Sequence, residues 1–251
     1  MAATTFPQEA DLEFDNGSFD SAAFAAHALS SPQTLAAVID HTLLKPDATR
    51  RQIESLCDEV LRYRFACAMV NPVWASTAVR ALSGSGIPVG VVIGFPLGAS
   101  LVSTLRQEAA TLTRMGAREL DMVLPIGQLK SGNHHAVHNA IHALANLAHH
   151  RGALLKVILE TALLTVEEKL RAAEIAIQAG ADFLKTSTGF STGGATPADV
   201  ALLRGVAGAR CGIKASGGIR TLTDVRALLE AGANRIGASA SVAIVRELGA
   251  E

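Results

Sequence analysis

Three short segments of this chain nearly repeat one another, and they limit the possible folds more than any other feature. The segments are residues 115–124, 179–187 and 231–239. Each has a glycine where a helix would end, then one or two polar residues, and then an apolar run. Glycine is favoured there because helices commonly end on a residue in the left-handed conformation. We therefore interpret each segment as the joint between a helix and the next strand of a βα repeat.

The strands can be placed on eight short apolar runs that are rich in β-forming residues. These runs are 38–43, 65–71, 89–94, 120–125, 154–161, 182–188, 211–216 and 235–240. Each is followed by an amphipathic segment of helical length, and helix-start signals lie between them, such as Thr165 three residues before Glu168. Continuous apolar runs are typical of parallel strands that are covered on both faces.

Eight alternating pairs in this length favour an α/β fold of the closed (β/α)8 type, a TIM barrel. An open doubly wound sheet stays an alternative, although no GxGxxG fingerprint follows the first strand. With 251 residues, 49% of them hydrophobic, the chain could form one barrel or two small domains. We predict a single barrel domain over residues 32–251. Residues 1–31 are expected to be an N-terminal extension that is partly disordered or helical.

Charge and cysteine content indicate which partners and which compartment to expect. The formal net charge is -1, so electrostatics favour neither nucleic acid nor an anionic membrane surface. The uncharged stretch 81–105 contains too many glycines and prolines for a spanning helix. The first residues lack the basic start and apolar core of a targeting signal. Three cysteines without a CxxC pair are typical of a reduced protein, so we expect a cytoplasmic location and no cysteine metal site.

Two lysines, Lys185 and Lys214, lie inside apolar runs that we interpret as buried strands. A lysine rarely occupies such a run by chance, because its ammonium group is very costly to bury without a partner. Where one does, burial lowers its pKa, and the neutral amine can attack a carbonyl carbon to form a Schiff base. The pair of lysines therefore indicates an enzyme.

Few other polar side chains are embedded in the predicted strands. Those that we single out as candidate site residues are Asp40, Asp121, Lys156, Lys185, Thr188 and Lys214. Inward positions on neighbouring strands would bring Asp121 and the three lysines into one cavity at the C-terminal ends of the strands, where barrel enzymes carry their active sites. A buried ion-pair network with only a structural role is the alternative interpretation.

In the catalytic interpretation, Lys185 is the nucleophile, and burial and the neighbouring Lys214 keep its amine partly neutral. A second positive charge about 6 Å away, at an effective dielectric constant of about 20, costs roughly 3 kcal/mol, or about two pKa units. Asp121, together with Lys214, would move protons through a water molecule.

A phosphate site can be predicted at the ends of the seventh and eighth strands. The sequence SGGIR follows the seventh run at 216–220, and GAS ends the eighth at 237–239, before a helix that we expect to begin at about Ser241. The N–H groups of glycine-rich turns and of a helix N-terminus suit a phosphate dianion, and these two loops are its usual location in barrels. A single Gly-Gly pair is more often a simple turn.

The histidines carry two interpretations. His134, His138 and His142 recur at four-residue spacing, which is also the spacing of helical zinc ligands. They lie far along the helix after the fourth strand and have no flanking carboxylate, so a solvated helix face is the preferred interpretation, and no metal is expected. His41, beside Asp40, is equally consistent with a hydrogen-bonded core residue.

These residues lie in motifs that resemble those of the deoxyribose-phosphate aldolases, a family of class I aldolases. The motifs are IDHTLL (39–44), VNP (70–72), VIGFPLG (92–98), ELDMV (119–123), LKVILET (155–161), KTSTGF (185–190), KASGGIR (214–220) and IGAS (236–239). They occur in the family's order and cover nearly everything from about Val38 onward. The two lysine motifs together are highly specific.

The resemblance implies a TIM-barrel lyase of carbohydrate degradation and deoxyribonucleotide catabolism. It would reversibly split 2-deoxy-D-ribose 5-phosphate into acetaldehyde and D-glyceraldehyde 3-phosphate, with no cofactor or metal, because the iminium itself is the electron sink. The resemblance also implies a homodimer. The family's Schiff-base lysine falls on Lys185, its second lysine on Lys214 and its proton-relay aspartate on Asp121.

The resemblance assigns further positions to substrate binding. Asp40 corresponds to an aspartate that contacts a substrate hydroxyl, and Lys156 and Thr188 correspond to further lining of the same cavity. The turns that would hold the 5-phosphate contain Gly189, Gly217, Gly218, Gly237 and Ser239.

The sequence departs from the family pattern in four places. Ala240 stands where many members carry a second serine, and Met69 stands in place of a common cysteine. Tyr63 is the only tyrosine, so the C-terminal tyrosine of some members is absent, and the N-terminal extension has no counterpart. A related class I aldolase with another donor or an unphosphorylated acceptor is therefore one alternative. A non-catalytic barrel that binds phosphate is a second, although it would need neither lysine.

Overall fold

Eight parallel strands pair in chain order and close into a barrel, which confirms the predicted TIM-barrel architecture. The computed structural model of the protein describes residues 19–250. The strands are β1 (Ile39–Leu43), β2 (Cys67–Val70), β3 (Val89–Ile93), β4 (Glu119–Val123), β5 (Leu154–Ile158), β6 (Phe183–Lys185), β7 (Gly212–Ser216) and β8 (Arg235–Ala238). Every one of them lies within a predicted run or begins one residue before it.

Helices surround the barrel and connect successive strands. They are α1 (Ser21–Ala28), α2 (Pro32–Ala36), α3 (Arg50–Tyr63), α4 (Ala75–Ala81), α5 (Val102–Met115), α6 (Ile126–Lys130), α7 (His134–His150), α8 (Val166–Gln178), α9 (Pro197–Ala207), α10 (Leu222–Glu230) and α11 (Ser241–Leu248). Short 3₁₀ turns cover Pro72–Trp74 and Thr161–Leu163. Over residues 19–250, no helix combines the length and the apolar character that a membrane span requires.

The first described helices pack onto the outer layer. Helix α1 contacts α10, and α2 contacts α11. The predicted helical part of the N-terminal extension is thus present as α1, whereas the prediction for residues 1–18 lies outside the described residues. The division into an extension and a barrel domain stays a prediction.

The local signals at the joints are formed as the sequence predicts. Helix α5 ends on Gly116 with φ of 112°, a left-handed conformation that a side chain rarely adopts. At the start of α8, the Thr165 side chain accepts a hydrogen bond from the Glu168 backbone N–H, and the Glu168 side chain accepts one from the Thr165 N–H. These ends fix where each strand enters the barrel.

The interior of the barrel is divided into an apolar and an ionic part. Leu44, Cys67, Met69 and Val92 form a small buried cluster on the side of β1 to β3, separate from the main core between strands and helices. The strand register places charged residues side by side on the remaining strands, since Asp121 pairs with Lys156, and Lys185 pairs with Lys214. Side chains alternate along a strand with period two, so these charged groups all point inward.

Candidate active site

The two lysines of the sequence prediction share one carboxylate in the barrel interior. The Nζ atoms of Lys185 and Lys214 each lie 2.8 Å from Oδ2 of Asp121. Lys214 Nζ also lies 2.5 Å from Oδ2 of Asp40. Lys185 is only 2% exposed, and the other three residues are completely buried. A proton can therefore pass between the two amines through one carboxylate without crossing bulk water.

Lys156 joins the same cluster from β5. Its Nζ lies 3.0 Å from Oδ2 of Asp40 and 3.2 Å from Oδ1 of Asp121, and it also donates to the Glu119 carboxylate. The three lysines thus differ in how many carboxylates they contact. Lys156 contacts three, Lys214 two and Lys185 one.

The number of carboxylate contacts agrees with the directions in which the pKa values of Lys185 and Lys156 are shifted. The pKa of Lys185 is lowered to about 8, because burial and the positive charges of Lys214 and Lys156 together outweigh the attraction of Asp121. Burial also lowers the pKa of Lys156, but its carboxylate neighbours outweigh that effect and hold it well above the ordinary lysine value. Lys185 is therefore the more easily deprotonated of these two amines. Of the two expected causes of the lowered Lys185 pKa, burial is larger than the charge of Lys214.

The aspartates of the cluster stay ionised. Burial alone would raise the pKa of Asp121, but three neighbouring lysines outweigh it and hold that pKa well below the usual range. The pKa of Asp40 is also lowered, since Lys156, Lys214 and Arg235 outweigh the effect of its burial. Both aspartates are therefore ionised at neutral pH and can accept hydrogen bonds from the lysines.

Sequence reasoning missed two charged members of the cluster, Glu119 and Arg235. Arg235 donates to Oδ1 of Asp40 at 3.0 Å, and its Nη2 lies 3.7 Å from Oε1 of Glu119. Glu119 begins β4 one residue before the predicted run 120–125, and Arg235 begins β8 as the first residue of the predicted run 235–240, where no role was assigned to it. The period of two could have identified Glu119, because it lies two residues before Asp121 and on the same face.

Thr188 is placed next to a different carboxylate. Its hydroxyl donates to Glu160, and its backbone N–H lies 3.3 Å from the same side-chain oxygen. Glu160 follows β5 and has a left-handed backbone with φ of 57°, which is uncommon for a residue with a side chain. The contacts of Thr188 tie the loop after β6 to the end of β5, and none of them joins it to the lysine cluster. Glu160 lies within the LKVILET motif (155–161), but nothing in the sequence alone indicates this contact.

The predicted phosphate turns are partly brought together. Gly189 and Gly217 have positive φ values, and a Cβ added to Gly189 would lie 3.8 Å from the Gly217 Cα, so the turns after β6 and β7 meet. Gly218 is exposed beside them. Gly237 lies inside β8 instead, where an added Cβ would lie 2.9 Å from Lys214 Cε. Its small size therefore makes room for that lysine, while Ser239 is exposed between β8 and α11.

Two aromatic residues meet above the end of the barrel that carries these turns. Phe95 follows β3 and Phe190 follows β6, and their rings pack edge to face with centroids 5.2 Å apart. The contact joins loops from strands on nearly opposite sides of the closed sheet.

The histidines lie away from this cluster. His138 and His142 stack on the surface of α7 with centroids 5.6 Å apart, and His149 contacts Asp182 at 2.9 Å. His41 is buried and contacts Glu59 on α3 at 2.7 Å, on the outer side of the sheet. These placements agree with a solvated helix face and a hydrogen-bonded core residue.

One group of metal-ligating residue types occurs within residues 19–250, namely Asp40, Cys67 and Glu119. Their potential ligand atoms all lie within 4.8 Å of one another. The carboxylates, however, already contact Lys156, Lys214 and Arg235. Burial raises the pKa of the Cys67 thiol well above its usual value. Permanent cations beside a protonated thiol do not suit a metal ion, which needs deprotonated ligands and no competing positive charge.

Comparisons with known proteins agree with this geometry. Residues 34–247 match the model of a family described as DeoC/LacD family aldolase. Deoxyribose-phosphate aldolase of Geobacillus sp. (strain WCH70) is 52% identical over 84% of this chain and 94% of its own length. That of Listeria innocua is 53% identical over 84% and 95%. A solved deoxyribose phosphate aldolase from Aeropyrum pernix, described as a unique tetramer, has a TM-score of 0.85 and 35% identity over 92% of this chain and 97% of that chain.

Proposed function

We propose a specific reaction for this chain, which belongs to the DeoC/LacD family of aldolases. The enzyme reversibly cleaves 2-deoxy-D-ribose 5-phosphate to D-glyceraldehyde 3-phosphate and acetaldehyde. The observation that carries the proposal is the buried Lys185, whose amine contacts one carboxylate and has a pKa of about 8. Relative to an ordinary lysine with a pKa of 10.5, its neutral fraction near neutrality is larger by roughly 300-fold.

The neutral Lys185 amine attacks C1 of the open-chain sugar, and loss of water leaves an iminium. A base removes the proton of the C3 hydroxyl, the C2–C3 bond breaks, and its electron pair moves into the iminium to give an enamine. D-Glyceraldehyde 3-phosphate leaves at this step. Protonation of the enamine at C2 and hydrolysis of the new iminium then release acetaldehyde and restore the amine.

The proton transfers are assigned to Asp121 and Lys214. Asp121 lies 2.8 Å from both amines through the same oxygen, so it can receive a proton from one side and pass it to the other, with a water reaching the substrate. Lys214 is the proton store of the pair. Asp40 in turn contacts Lys214 and holds it toward Asp121.

Substrate binding is assigned to the mouth of the barrel. We assign the hydroxyl contact to Asp40 and further lining to Lys156 and Thr188, in line with the family resemblance. The 5-phosphate would bind the turns after β6, β7 and β8, at Gly189, Gly217, Gly218 and Ser239, whereas Gly237 lies inside β8 and makes room for Lys214. Helix α11 begins beside them, and its N-cap residue Ala240 makes no side-chain cap hydrogen bond, which leaves its first N–H groups available for an anion.

A product assay tests this function. Purified enzyme is incubated with 2-deoxyribose 5-phosphate and, separately, with unphosphorylated 2-deoxyribose, and acetaldehyde is measured. We expect cleavage of the phosphorylated sugar, loss of activity in Lys185→Met, and full activity in the control Lys130→Met, which removes an exposed lysine. No acetaldehyde from either sugar would refute the proposal.

The second candidate is an aldolase for an unphosphorylated acceptor. Ala240 favours it, because the helix that follows begins without the hydroxyl that a serine would add to a phosphate site. Equal kcat/KM for the two sugars would support this candidate. A preference of more than about a hundredfold for the phosphorylated sugar, the scale of one or two charge-assisted hydrogen bonds, would exclude it.

We also propose that the enzyme is a homodimer, joined through an apolar groove lined by Val73, Phe95, Leu97 and Met115. The groove has a volume of about 970 Å³ and lies between α5 and the loops after β2 and β3, away from the lysine cluster. Val73 and Leu97 are more than 70% exposed, which is unusual for large apolar side chains. A second copy of the chain is the proposed occupant, and the tetrameric description of the Aeropyrum pernix relative supports self-association.

Light scattering after gel filtration tests this interface. Leu97→Glu places a charge in the groove and is expected to give a monomer. Val166→Glu is the matched control, because it introduces the same charge at an exposed apolar residue on α8, and it is expected to leave a dimer. An unaltered protein that is already a monomer, or a Leu97→Glu variant that remains dimeric, would contradict the proposal.

A reducing location such as the cytoplasm is also proposed. Cys57, Cys67 and Cys211 are free and buried. Buried free thiols are typical of proteins that fold where disulfides do not persist.

A further inference from the structure

We infer that Glu119 and Arg235, which neither contact Lys185 nor reach the barrel mouth, are positioning residues that set how readily the Lys185 amine loses its proton. This inference rests on the proposed role of Lys185 as the nucleophile. The two residues are called the floor pair below, because they begin β4 and β8 at the N-terminal end of the barrel.

The floor pair is connected to the catalytic groups through hydrogen bonds and ion pairs. Glu119 accepts from Lys156, which in turn contacts Oδ1 of Asp121 at 3.2 Å, and Asp121 contacts Lys185. Arg235 contacts Oδ1 of Asp40 at 3.0 Å, while Oδ2 of Asp40 contacts Lys214. Glu119 thus positions Lys156, which contacts Asp121, and Arg235 positions Asp40, which contacts Lys214.

The charges of the connected cluster balance when one of its bases is neutral, and Lys185 is the base that its contacts favour for this. Its acids are Asp40, Glu119 and Asp121, and its bases are Lys156, Lys185, Lys214 and Arg235. Four protonated bases against three carboxylates leave one surplus positive charge in a buried space. Release of the Lys185 proton removes the surplus, and Lys185 is the base with a single carboxylate contact.

Removing one member of the floor pair therefore shifts the Lys185 proton equilibrium in a direction set by the sign of the lost charge. Loss of the Glu119 charge increases the surplus and makes the proton leave at lower pH. Loss of the Arg235 charge removes the surplus and makes the proton leave at higher pH. For charges on the order of 10 Å apart at an effective dielectric constant of about 20, such a change amounts to about one pKa unit.

Three charged groups act directly on Lys185 and are kept in both variants, namely Asp121 on β4, Lys156 on β5 and Lys214 on β7. Asp40 on β1 and Cys67 on β2 belong to the same buried cluster, Glu160 after β5 contacts Thr188, and these three are also kept. Burial keeps the Cys67 thiol protonated through the range of interest, since its pKa is raised well above the usual value. The shifts therefore report the floor pair itself.

The test compares the pH dependence of iminium formation in matched variants. Acetaldehyde and cyanoborohydride are added to each protein between about pH 6 and about pH 10, and the rate of adduct formation on Lys185 is followed by peptide mass spectrometry. The pH dependence of the reagent is the same for every protein, so differences between the pH midpoints of the profiles report the protein. The variants are Glu119→Gln, Arg235→Gln, the double variant, and Arg235→Lys, which keeps the charge.

We expect the midpoint to move down by about one unit in Glu119→Gln and up by about one unit in Arg235→Gln. The double variant and Arg235→Lys are expected to return to within about half a unit of the unaltered protein. Shifts in the same direction, or no shift, would overturn the inference, because a merely structural role predicts no opposite signs. Absence of any Lys185 adduct in the unaltered protein would instead reject the proposed function.

A second measurement needs no variant and covers the case in which one fails to fold. The side-chain ¹⁵Nζ resonances of the lysines are titrated by NMR in the unaltered protein. We expect Lys185 to lose its proton near pH 8, while Lys156, held by the Glu119 carboxylate, keeps its proton throughout that range. Deprotonation of Lys156 before Lys185 would also overturn the inference.

Discussion

Replacing Lys214 by methionine tests how the cluster keeps Lys185 reactive. The two Nζ atoms lie 2.8 Å from the same oxygen of Asp121, so they are at most twice 2.8 Å apart, or 5.6 Å. At that separation and an effective dielectric constant of about 20, the repulsion is roughly 3 kcal/mol, which corresponds to about two pKa units. We therefore expect the pKa of Lys185 to rise from about 8 toward that of an ordinary lysine.

The sign of the effect on the rate follows directly. The amine is nucleophilic only when neutral, so adduct formation increases with pH through the pKa of Lys185. A rise of about two units lowers the neutral fraction near pH 7 by about a hundredfold. The rate of Lys185 adduct formation with acetaldehyde and cyanoborohydride is measured against pH, because trapping does not need the later proton transfers that Lys214 also serves.

Lys169→Met is the matched control, since Lys169 forms an ion pair with Asp199 in the outer helical layer. This control is expected to keep the pH midpoint of the unaltered protein. A Lys214→Met variant that folds and traps acetaldehyde with an unchanged midpoint would refute the electrostatic coupling. Slow turnover with an unchanged midpoint would leave Lys214 as a proton carrier only.

Three further predictions follow from the contacts of the cluster. Asp121→Asn removes the shared proton carrier and is expected to lower kcat by about 10²–10⁴. It also leaves the buried Lys185 without its carboxylate partner, at about 3–5 kcal/mol of unfolding free energy; steady-state kinetics and urea titration measure both effects. Gly237→Ala places a methyl group 2.9 Å from Lys214 Cε and should reduce stability by about 1–3 kcal/mol, whereas Gly205→Ala, in open space on α9, should increase it; equal Tm values would contradict this. The pKa of Asp40 is lower in the folded protein than its value of 3.8 in the unfolded chain, so its ionised form stabilises the fold at pH values above 3.8. This stability is lost as the pH falls below that value. A constant unfolding free energy between about pH 5 and about pH 3 would be contrary evidence.

The barrel was predictable because its signals are local. Glycines at helix ends and capping residues such as Thr165 mark each joint, and each apolar run marks a strand. Strand ends were less accurate. The run 154–161 continues past the end of β5 at Ile158, because apolar residues are also buried beyond the last ladder hydrogen bond, and Glu160 turns the chain into a left-handed conformation.

The site was predictable where polar residues interrupt apolar runs, and less so at the strand starts. Lys185, Lys214 and Asp121 stand out for that reason, and the structure brings them together. Arg235 does not stand out, because it lies at the first position of its apolar run, and charged residues are common at the ends of strands. Nor can a sequence show that Gly237 makes room for a lysine stem, since that depends on the register between β7 and β8.

The central claim is that one buried amine forms a covalent bond with the aldehyde. The most direct measurement is borohydride reduction of the enzyme with acetaldehyde near its optimal pH, followed by peptide mapping. The account predicts one ethyl group, on Lys185, which is lost in Lys185→Met. An adduct located mainly on Lys214 or on exposed lysines such as Lys130, or none at all, would contradict it.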